Sequence, residues 1–503
     1  MREGKHRVWV WLLALCVTMG VCVDVREALG LRSRFSRKTG GRQRMESFNF
    51  KARMATRKFH SSEGEEMEGI IKWATKDVSR YMEMNIEKIK ETMATSSRRD
   101  NLIKTYRQTF MNTIETTVQA TYEGRTFVIT GDIDAMWLRD SAPQVEHYLR
   151  CCANHSVHVR KMLVGLVNEH AFLALQDPYA NSFYDPPNFK DTRKIYRRGG
   201  YIATGNYELD SFAYSIRLAY QLWRVSGESH HFDELFRAAC KLMLSIWRKE
   251  QYHEEASTYE YNPKELKMKN GRENSESGYT GMTWTGFRPS DSPCQYHYHI
   301  PDNMLTSVSL GYLSEISREI YGDELMAKDA EALKAGIDSG IEKYGIVNDR
   351  RNGRIYAYEV DGLGNALLQD DANIPSLLSM PYLNYTVGDM QVYKNTVDFL
   401  WSPANPWFFS GKVAEGVGSS HTGKNKIWHL SLIMKGMMAD TSQERVKMLR
   451  ACLDTDAGTG LMHESFDPSS PRSYTRRWFA WANSMFATWV SDMVEQNTLP
   501  SSL

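Results

Sequence analysis

The amino-acid sequence predicts an all-α protein, folded as an (α/α)6 toroid of six inner and six outer helices with short β insertions. The first observation is that hydrophobic residues recur at helical spacing almost throughout the chain from about residue 66. The second is that six predicted helices are apolar on most faces, as buried helices are, and that amphipathic helices alternate with them. The third is that a polar loop precedes each apolar helix, so six loops are expected to meet at one mouth of the ring.

The predicted helices follow one another along the chain in two classes. Two amphipathic helices, at 82–93 and 102–117, come first, and a short extended segment at 126–130 follows them. The inner helices are predicted at 141–152, 209–225, 303–321, 372–382, 426–438 and 479–495. The outer helices are predicted at 157–175, 231–248, 325–344, 390–400 and 442–452. A charged surface excursion at 259–274 and a hairpin at 351–365 interrupt the series.

Composition limits the functional classes that fit this chain. It has 503 residues and a formal net charge of +1, so it offers no basic field that would attract nucleic acid. Its hydrophobic share of 42% is ordinary for a globular protein with a large core. The seven cysteines show no CxxC spacing, so the sequence indicates neither a zinc or redox motif nor a particular disulfide pairing. We expect one catalytic domain over residues 66–503.

The first 65 residues have the composition of a targeting segment. Three basic residues precede an uncharged, largely apolar run at 8–23, which predicts that residues 1–23 are a signal peptide or a type II membrane anchor. The basic composition of residues 24–65 predicts a disordered stem, with an organelle transit sequence as the alternative. The signal or anchor predicts a luminal or secreted domain of the secretory pathway, and the glycosylation sequons at Asn154 and Asn384 agree with it.

The polar loops before the inner helices carry the chemistry. They span residues 131–141, 204–211, 281–291, 367–376, 415–423 and 461–468. Carboxylates recur in them together with Trp, Arg, His and Asn. Sugar-binding sites combine these side chains, because an aromatic ring packs on the C–H face of a sugar while Arg and carboxylates hold its hydroxyls. A glycosidase also needs two carboxyl groups, one protonated to donate to the leaving oxygen and one ionised to attack or to activate water.

The first of these loops is the most crowded with functional side chains. Its three acids, one arginine and one tryptophan are Asp132, Asp134, Asp140, Arg139 and Trp137. These residues fit a carbohydrate site. The same pattern is also typical of a helix that Asp140 caps, with Trp137 in the core and Arg139 paired to an acid.

Six motifs in the chain resemble a known family of enzymes. They are GDIDAMWLRDS at 131–141, GMTWTGFRPSD at 281–291, IPDNM at 300–304, GVGSSHT at 416–422, MHESF at 462–466 and WFAWANS at 478–484. Together they resemble glycoside hydrolase family 125, the exo-acting α-1,6-mannosidases, over about residues 70–495. The resemblance implies an (α/α)6 barrel, inversion of configuration, and no metal or other cofactor. It further implies that Asp291 is the general acid and that Glu464 is the base that activates water.

The resemblance also suggests residues that bind the substrate. Arg139 and Asp140 are similar to the Arg-Asp pair with which related toroidal glycosidases hold the outer hydroxyls of the terminal sugar. Trp137 and Trp284 are candidates for stacking on the sugar ring. Trp481 is a third candidate, for which packing in the core is equally expected.

Several polar residues have weaker assignments. Asp132 and Asp134 are expected either to bind hydroxyls or to anchor their loop, and His421 is a candidate donor to a sugar hydroxyl. Arg288 is a further candidate for substrate binding. We expect it to pair with an acid other than Asp291, because an arginine bound to the general acid would oppose its protonation. Three other acids are candidates either to support the residues that contact substrate or to cap helices, and capping is favoured; they are Asp210, Asp370 and Asp371.

The sequence therefore predicts an exo-acting α-mannosidase that hydrolyses terminal non-reducing α-1,6-linked mannose with inversion. Its partner would be a mannose-containing oligosaccharide or glycan. One alternative is an (α/α)6 glycosidase or phosphorylase that acts on another sugar. The other is an inactive luminal mannose-binding lectin, which would not need both carboxyl groups. Asp134 and Gly423 depart from the family's pattern near the pocket, which leaves the linkage preference open. The sequence also leaves open the natural glycan and the oligomeric state.

Overall fold

The structure, a computed structural model, describes four ranges of the chain, 61–153, 155–185, 201–259 and 276–503. Within them, long helices alternate with strands of two to six residues. The predicted targeting segment, apart from its last five residues, lies outside the described residues, as do Asn154 and most of the excursion at 259–274. Among the described residues, no helix is both long enough and apolar enough to span a membrane.

The described residues form fourteen helices. They are α1 (Ser62–Thr92), α2 (Arg99–Thr116), α3 (Leu138–Glu146), α4 (Leu149–Ala153), α5 (Val157–Gln176), α6 (Asp210–Ser226), α7 (Glu234–Glu250), α8 (His253–Ala256), α9 (Ile300–Glu319), α10 (Glu324–Tyr344), α11 (Met390–Leu400), α12 (His429–Met437), α13 (Ser442–Asp454) and α14 (Ala480–Glu495). The five predicted outer helices are confirmed as α5, α7, α10, α11 and α13.

The strands are short and lie between the helices. They are β1 (Val118–Ala120), β2 (Thr126–Val128), β3 (Met136–Trp137), β4 (Ser182–Phe183), β5 (Ile202–Thr204), β6 (Tyr298–His299), β7 (Ile346–Asp349), β8 (Gly353–Tyr356), β9 (Glu359–Val360), β10 (Ala366–Leu367), β11 (Phe408–Ser410), β12 (Glu415–Val417), β13 (Ile427–Trp428), β14 (Ser465–Asp467) and β15 (Ser470–Thr475). All the pairs among them are antiparallel, in the orders β3-β4-β5, β10-β9-β6, β13-β14-β15, β1-β2, β7-β8 and β11-β12.

The outer helices begin at capping side chains. The five capping residues are Ser156, Asp233, Asp323, Asp389 and Thr441, whose side chains accept hydrogen bonds from backbone N–H groups of the first turn. Four buried helices, α3, α6, α12 and α14, begin without a side-chain cap. Two of these, α3 and α12, follow directly on the two-residue strands β3 and β13, so strand pairing fixes where they start.

The buried helices pack against one another in a series. Every residue of α3 is buried, and so are most residues of α6, α9, α12 and α14. Helix α3 packs against α6 and α14, α6 packs against α9, and α12 packs against α14. The more exposed helices lie behind them, with α5 against α6, α10 against α9 and α13 against α12. This arrangement confirms that buried and solvated helices alternate, as their hydrophobic patterns predict.

The predicted inner helix at 372–382 is wrong, because this segment consists of turns. Two prolines, Pro375 and Pro381, lack the N–H group that a helix needs. Other groups also take the place of helical hydrogen bonds. The carboxylate of Asp370 accepts from the backbone N–H groups of Leu377 and Leu378. The segment still packs centrally, since the hydroxyl of Tyr214 in α6 donates to the carbonyl of Ile374.

Other boundaries also differ from the prediction. The predicted helix at 141–152 starts earlier and is divided into α3 and α4 at His147 and Tyr148. Both side chains lie within 3.0 Å of the carbonyl oxygen of Phe110 in α2. The hairpin predicted at 351–365 appears as two antiparallel pairs, β7-β8 and β9-β10. The expectation of short β insertions is therefore confirmed.

Candidate active site

A cavity opens beside the starts of the buried helices α3 and α14. Its lining residues are Thr130, Ile133, Trp137, Arg139, Asp140, Pro289, Ser290, Asp291, Asn373, His421, Trp428, Glu464, Arg476, Phe479 and Trp481. Acids, arginines and indole rings meet there, as in pockets that bind small polar ligands. A wider hollow beside α13 has no aromatic lining, and its Lys447 is already paired with Glu415. We therefore place the candidate site in the first cavity.

Asp291 is held in one orientation by two N–H donors. Its Oδ1 accepts hydrogen bonds from the indole Nε1 of Trp137 (3.1 Å) and from the amide Nδ2 of Asn181 (3.0 Å). The amide of Asn181 is itself oriented, because its Oδ1 accepts from the hydroxyl of Thr204 (2.6 Å). Since Oδ1 of Asp291 already serves as an acceptor, an acidic proton on this carboxyl group has its place on Oδ2.

The sheet β3-β4-β5 brings these donors to Asp291. Trp137 ends β3, Asn181 immediately precedes β4, and Thr204 ends β5. Asp291 lies in the tight loop between the bridged residues Phe287 and Pro293 and has a φ of 59°. Asp tolerates this left-handed conformation better than most residues, and strained backbone is common at functional sites.

Glu464 is almost completely buried, with 5% of its side chain exposed. Its Oε2 accepts a hydrogen bond from the hydroxyl of Thr475 (2.9 Å). Its Oε1 lies 3.4 Å from Nη1 of Arg476 and 4.0 Å from Nε2 of His421. Both oxygens therefore face donors, as those of an ionised carboxylate do. The sheet β13-β14-β15 sets this geometry, because Glu464 precedes β14 and Thr475 ends β15 opposite Ser465.

Arg139 is a buried cation surrounded by four carboxyl groups, with 2% of its side chain exposed. Its Nη1 lies 2.5 Å from Oε2 of Glu208 and 3.5 Å from Oδ2 of Asp210. Its Nε lies 3.5 Å from Oδ2 of Asp140, and its Nη2 lies 3.8 Å from Oδ1 of Asp291. One guanidinium does not neutralise four carboxylates, so their mutual repulsion favours the uptake of protons in this cluster.

Burial and this crowding shift the acids towards their protonated forms. Burial raises the pKa of Asp140 to about 6, although Arg139 opposes the shift, and the charge of Asp291 adds to it. Burial also raises the pKa of Glu208 well above its usual range. There too Arg139 opposes the shift, whereas the charges of Asp291 and Asp210 add to it. The same balance between burial and Arg139 raises the pKa of Asp210.

Two residues expected to touch substrate lie elsewhere. Trp284 is 1% exposed and stacks between two imidazole rings, with centroid distances of 3.6 Å to His253 and 4.5 Å to His297. Arg288 is buried and paired with Glu359, whose pKa burial alone would raise but Arg288 lowers. Neither residue is among those that line the cavity, so their contact with the sugar stays a prediction. The structure agrees that Arg288 takes a partner other than the carboxyl group of Asp291.

The remaining predicted residues are divided between the cavity and its supports. His421 and Trp481 line the cavity, and Asp132 is bound by Arg476 at its edge. Asp134 is exposed. Three acids that were expected to cap helices are buried and hold loops or Arg139 instead, namely Asp210, Asp370 and Asp371.

Four residues of the site were not singled out from the sequence. They are Asn181, Glu208, Thr475 and Arg476. Glu208 lies in one of the polar loops, 204–211, so its position carried a usable signal. Arg476 contacts Glu464 across the β14-β15 hairpin. It also contacts Asp132, which is so distant along the chain that no local spacing indicates the pair.

The arrangement has the parts of an acid-base site. In one carboxyl group, that of Asp291, both N–H donors bind Oδ1, so Oδ2 is free to carry a proton. The other, Glu464, faces a hydroxyl, a guanidinium and an imidazole on the same cavity. Among the described residues, no group of three or more His, Cys, Asp or Glu side chains is placed to hold a metal ion.

Comparison with known proteins identifies related chains. The family described as metal-independent alpha-mannosidase (GH125) matches residues 99–491. The Meiotically up-regulated gene 157 protein of Schizosaccharomyces pombe is 33% identical over 445 residues, which cover 83% of this chain and 86% of that protein.

Solved structures show the same relationship. A Streptococcus pneumoniae protein, from a new family of metal-independent alpha mannosidases and in a non-productive complex with alpha-1,6-mannobiose, is 39% identical, with a TM-score of 0.78. The match covers 84% of this chain and 98% of that one. A bacterial glucoamylase bound to acarbose is 12% identical, with a TM-score of 0.52 over 78% of this chain and 57% of that one, which is a likeness of fold alone.

Proposed function

The chain belongs to the metal-independent alpha-mannosidases of family GH125, and we propose that it releases single terminal mannose residues from α-1,6 linkages with inversion of configuration. The observation that carries this proposal is the pair of carboxyl groups on one cavity, Asp291 and Glu464, each with its own set of donors. The α-1,6-mannobiose held by the related Streptococcus pneumoniae protein supports the choice of linkage.

In the proposed reaction the two carboxyl groups have separate duties. Asp291 donates the proton on its Oδ2 to the glycosidic oxygen as the bond to the anomeric carbon breaks. Glu464 takes a proton from a water molecule, which attacks the anomeric carbon from the opposite face. The donors from Trp137 and Asn181 keep Oδ1 of Asp291 as the acceptor oxygen, so the proton stays on the oxygen that delivers it.

The arginine cluster beside the cavity supports an exo mode of attack. Arg139 and Asp140 face the cavity from α3 and are themselves almost fully buried. Charged groups that are buried in the wall of a cavity suit the hydroxyl groups at the end of a sugar chain. We therefore assign to this pair the hydroxyls of the terminal mannose, which charge-assisted hydrogen bonds would hold. His421, which is more exposed, is assigned to the neighbouring sugar.

The fold and cellular location belong to the same proposal. We infer an (α/α)6 toroid whose loops form the cavity mouth, and the serial packing of the buried helices α9, α6, α3, α14 and α12 supports it. The apolar run at 8–23 supports a luminal or secreted enzyme that acts on mannose-containing glycans.

The proposal is tested with linkage-defined mannobioses. We expect the full-length protein to cleave the α-1,6 isomer at least about tenfold faster than the α-1,2, α-1,3 and α-1,4 isomers, a difference of about 1.4 kcal/mol in transition-state binding. Proton NMR of the first product should show β-mannose, the inverted anomer. Release of α-mannose would contradict inversion, and cleavage of maltose instead would favour an enzyme for another sugar.

The roles of the two acids are tested by amide substitutions. We expect Asp291→Asn and Glu464→Gln each to lower kcat on α-1,6-mannobiose by about 100-fold or more, because each removes a proton-transfer step. Asp134→Asn, an exposed acid of the first polar loop, is the control and should keep wild-type kcat within about twofold. Sugar release that persists in both amide variants would show that other residues perform the chemistry.

A further inference from the structure

The two oxygens of Glu464, the base of the proposed reaction, have unlike surroundings. Its Oε2 accepts a hydrogen bond of 2.9 Å from the hydroxyl of Thr475. Among the described residues, the donors beside Oε1 are more distant, with Nη1 of Arg476 at 3.4 Å and Nε2 of His421 at 4.0 Å. Oε2 is therefore held by a close donor, whereas Oε1 keeps a lone pair for a further donor such as water.

The hydrogen of the Thr475 hydroxyl has one direction open to it. A hydroxyl group has one hydrogen to donate and two lone pairs that accept. The backbone N–H of Ser465 donates to the oxygen of Thr475 at 3.2 Å, and the hydroxyl of Ser465 lies 2.7 Å from the same oxygen. Because an ionised carboxylate only accepts, Thr475 gives its hydrogen to Oε2 of Glu464, and the hydroxyl of Ser465 donates to Thr475.

The β14-β15 hairpin builds this series of hydrogen bonds. Ser465 and Thr475 are directly opposite each other in the antiparallel register, and Glu464 immediately precedes β14. Ser465 is completely buried, so bulk water does not compete for its hydroxyl. Hydrogen bonds arranged in series polarise one another, and the two donors from Ser465 therefore strengthen the bond from Thr475 to Glu464.

The charged neighbours of Glu464 do not take the place of this neutral donor. Arg476 is tied to Asp132 through its Nε and Nη2, and its Nη1 is the part that faces Oε1. The side chain of His421 is 45% exposed and is likewise directed at Oε1. Within the described ranges, the orientation of Oε2 therefore depends on Thr475.

We infer that Thr475, oriented by Ser465, is a positioning residue for the general base, and that Oε1 is the oxygen of Glu464 that takes the proton from water. The inference rests on the proposed function, in which Glu464 activates the attacking water. One O–H bond of the water breaks as its proton passes to Oε1, and the water oxygen bonds to the anomeric carbon. The bond from that carbon to the glycosidic oxygen breaks with its electron pair on the oxygen, which receives the proton of Asp291.

Substitutions of Thr475 test whether its hydroxyl is needed. Thr475→Val removes the hydroxyl but keeps the branched shape of the side chain. In the full-length protein we expect kcat on α-1,6-mannobiose to fall about tenfold or more and KM to change by less than about threefold, because a displaced base slows the reaction without removing a contact with the sugar. Thr475→Ser keeps the hydroxyl and should stay within about threefold of wild-type kcat. Ser473→Ala removes an exposed hydroxyl from the same strand and is the control, with kcat expected within about twofold of wild type.

A second substrate shows on which side of the reaction Thr475 acts. Fluoride leaves α-mannosyl fluoride without a proton from an acid, but the attacking water must still be activated. Thr475→Val should therefore also slow this substrate by about tenfold, whereas Asp291→Asn should spare it. A normal rate of Thr475→Val on the fluoride would overturn the inference, as would a change in KM alone or a loss that Thr475→Ser shares in full.

A double-substitution cycle tests the link from Ser465 to Thr475. Ser465→Ala removes one of the two donors to Thr475 and should lower kcat by about threefold. With Thr475→Val the hydroxyl of Ser465 has nothing to orient, so the double variant should match Thr475→Val within about twofold. Losses that multiply would contradict the series. If Thr475→Val does not fold, Ser465→Ala decides by itself, because wild-type kcat in that variant would contradict the inference.

Glu464→Gln shows whether the underlying assignment fails instead. If this variant keeps mannobiose cleavage, the proposed function is wrong at this residue, whatever the behaviour of Thr475→Val. If Glu464→Gln loses cleavage while Thr475→Val and Ser465→Ala keep wild-type kcat, only the inference about Thr475 fails.

Discussion

Asp140 is a residue whose protonation links stability to pH. Its pKa is about 6 in the folded protein, because burial outweighs the nearby Arg139, against an ordinary value of about 3.9 in the unfolded chain. Between these values the folded state binds more protons than the unfolded state. The free energy of unfolding should therefore fall as the pH rises from about 4 to above 6, by an amount on the order of 3 kcal/mol from this group.

Asp140→Asn should remove this loss. The amide cannot ionise, so the variant should be more stable than wild type at pH 7, by about 2–3 kcal/mol, and closer to it at pH 4.5. Urea unfolding at the two pH values measures the difference, with the exposed Asp134→Asn as control. A variant less stable than wild type at pH 7 would contradict it. The gain in stability should come with a higher KM, since Asp140 is assigned to the terminal sugar.

At the scale of single residues, the sequence indicates those that belong to long motifs and misses those whose partners are distant. Asp291 and Glu464 stand in motifs, and the structure brings both to one cavity. Glu208 contacts Arg139, which lies 69 positions away along the chain. Arg476 contacts Asp132, which lies 344 positions away. Local spacing in the sequence cannot indicate pairs so far apart. Trp284 is a residue that the sequence singled out but that does not line the cavity. An indole ring in a polar loop is equally compatible with stacking on a sugar and with packing among buried rings.

Among the elements, helix type was easier to predict than helix continuity. Hydrophobic periodicity separated the buried from the solvated helices, because each class buries a different fraction of its surface. It failed at 372–382, where the pattern is apolar but the prolines and the side chains of Asp370, Ser376 and Ser379 divert the backbone hydrogen bonds into turns. A central position can therefore be predicted from hydrophobicity even where the helix cannot.

The contact between α12 and α14 provides a test at this scale. A Cβ atom added at Gly436 would lie 2.2 Å from the indole of Trp489, closer than any side chain permits. We expect Gly436→Ala to lower the free energy of unfolding by about 1–3 kcal/mol through overpacking. Gly311→Ala in α9 is the matched control, because its Cβ would meet nothing closer than 3.7 Å. There the helix preference of alanine should add about 0.5–1 kcal/mol. Urea unfolding of both variants measures the effects, and equal signs would contradict this packing.

For the whole molecule, the helices and the sheets have different tasks. The buried helices supply the core, and two of them, α3 and α14, begin beside the cavity. The three-stranded sheets β3-β4-β5 and β13-β14-β15 connect segments that are far apart in sequence and orient the donors of Asp291 and Glu464. The cavity therefore depends on two sheets in which five of the six strands have only two or three residues, too few to be predicted from residue patterns. This explains why the fold class followed from the sequence while the support of the two acids did not.

The cavity gathers its acids around two arginines, and this predicts how the enzyme responds to loss of metal. Arg139 contacts Glu208 and Asp140, while Arg476 contacts Glu464 and Asp132. These guanidinium groups supply positive charge within a buried site, where fixed charges act strongly on the transition state. We expect dialysis against EDTA to leave the rate on α-1,6-mannobiose within about 20% of that of a control dialysed without chelator. Loss of even about 1.36 kcal/mol of transition-state stabilisation would instead lower the rate about tenfold.

Removing one of these cations should instead be costly and should not be repaired by metal. Arg476→Gln should lower kcat by about tenfold or more, because Glu464 and Asp132 lose their shared partner, and added Ca²⁺ or Zn²⁺ should not restore it. A metal-dependent α-mannosidase treated in parallel checks that the chelator works. Activity that EDTA abolishes and a divalent ion restores would contradict the prediction, because it would mean that a metal, and not the two arginines, provides the positive charge on which the reaction depends.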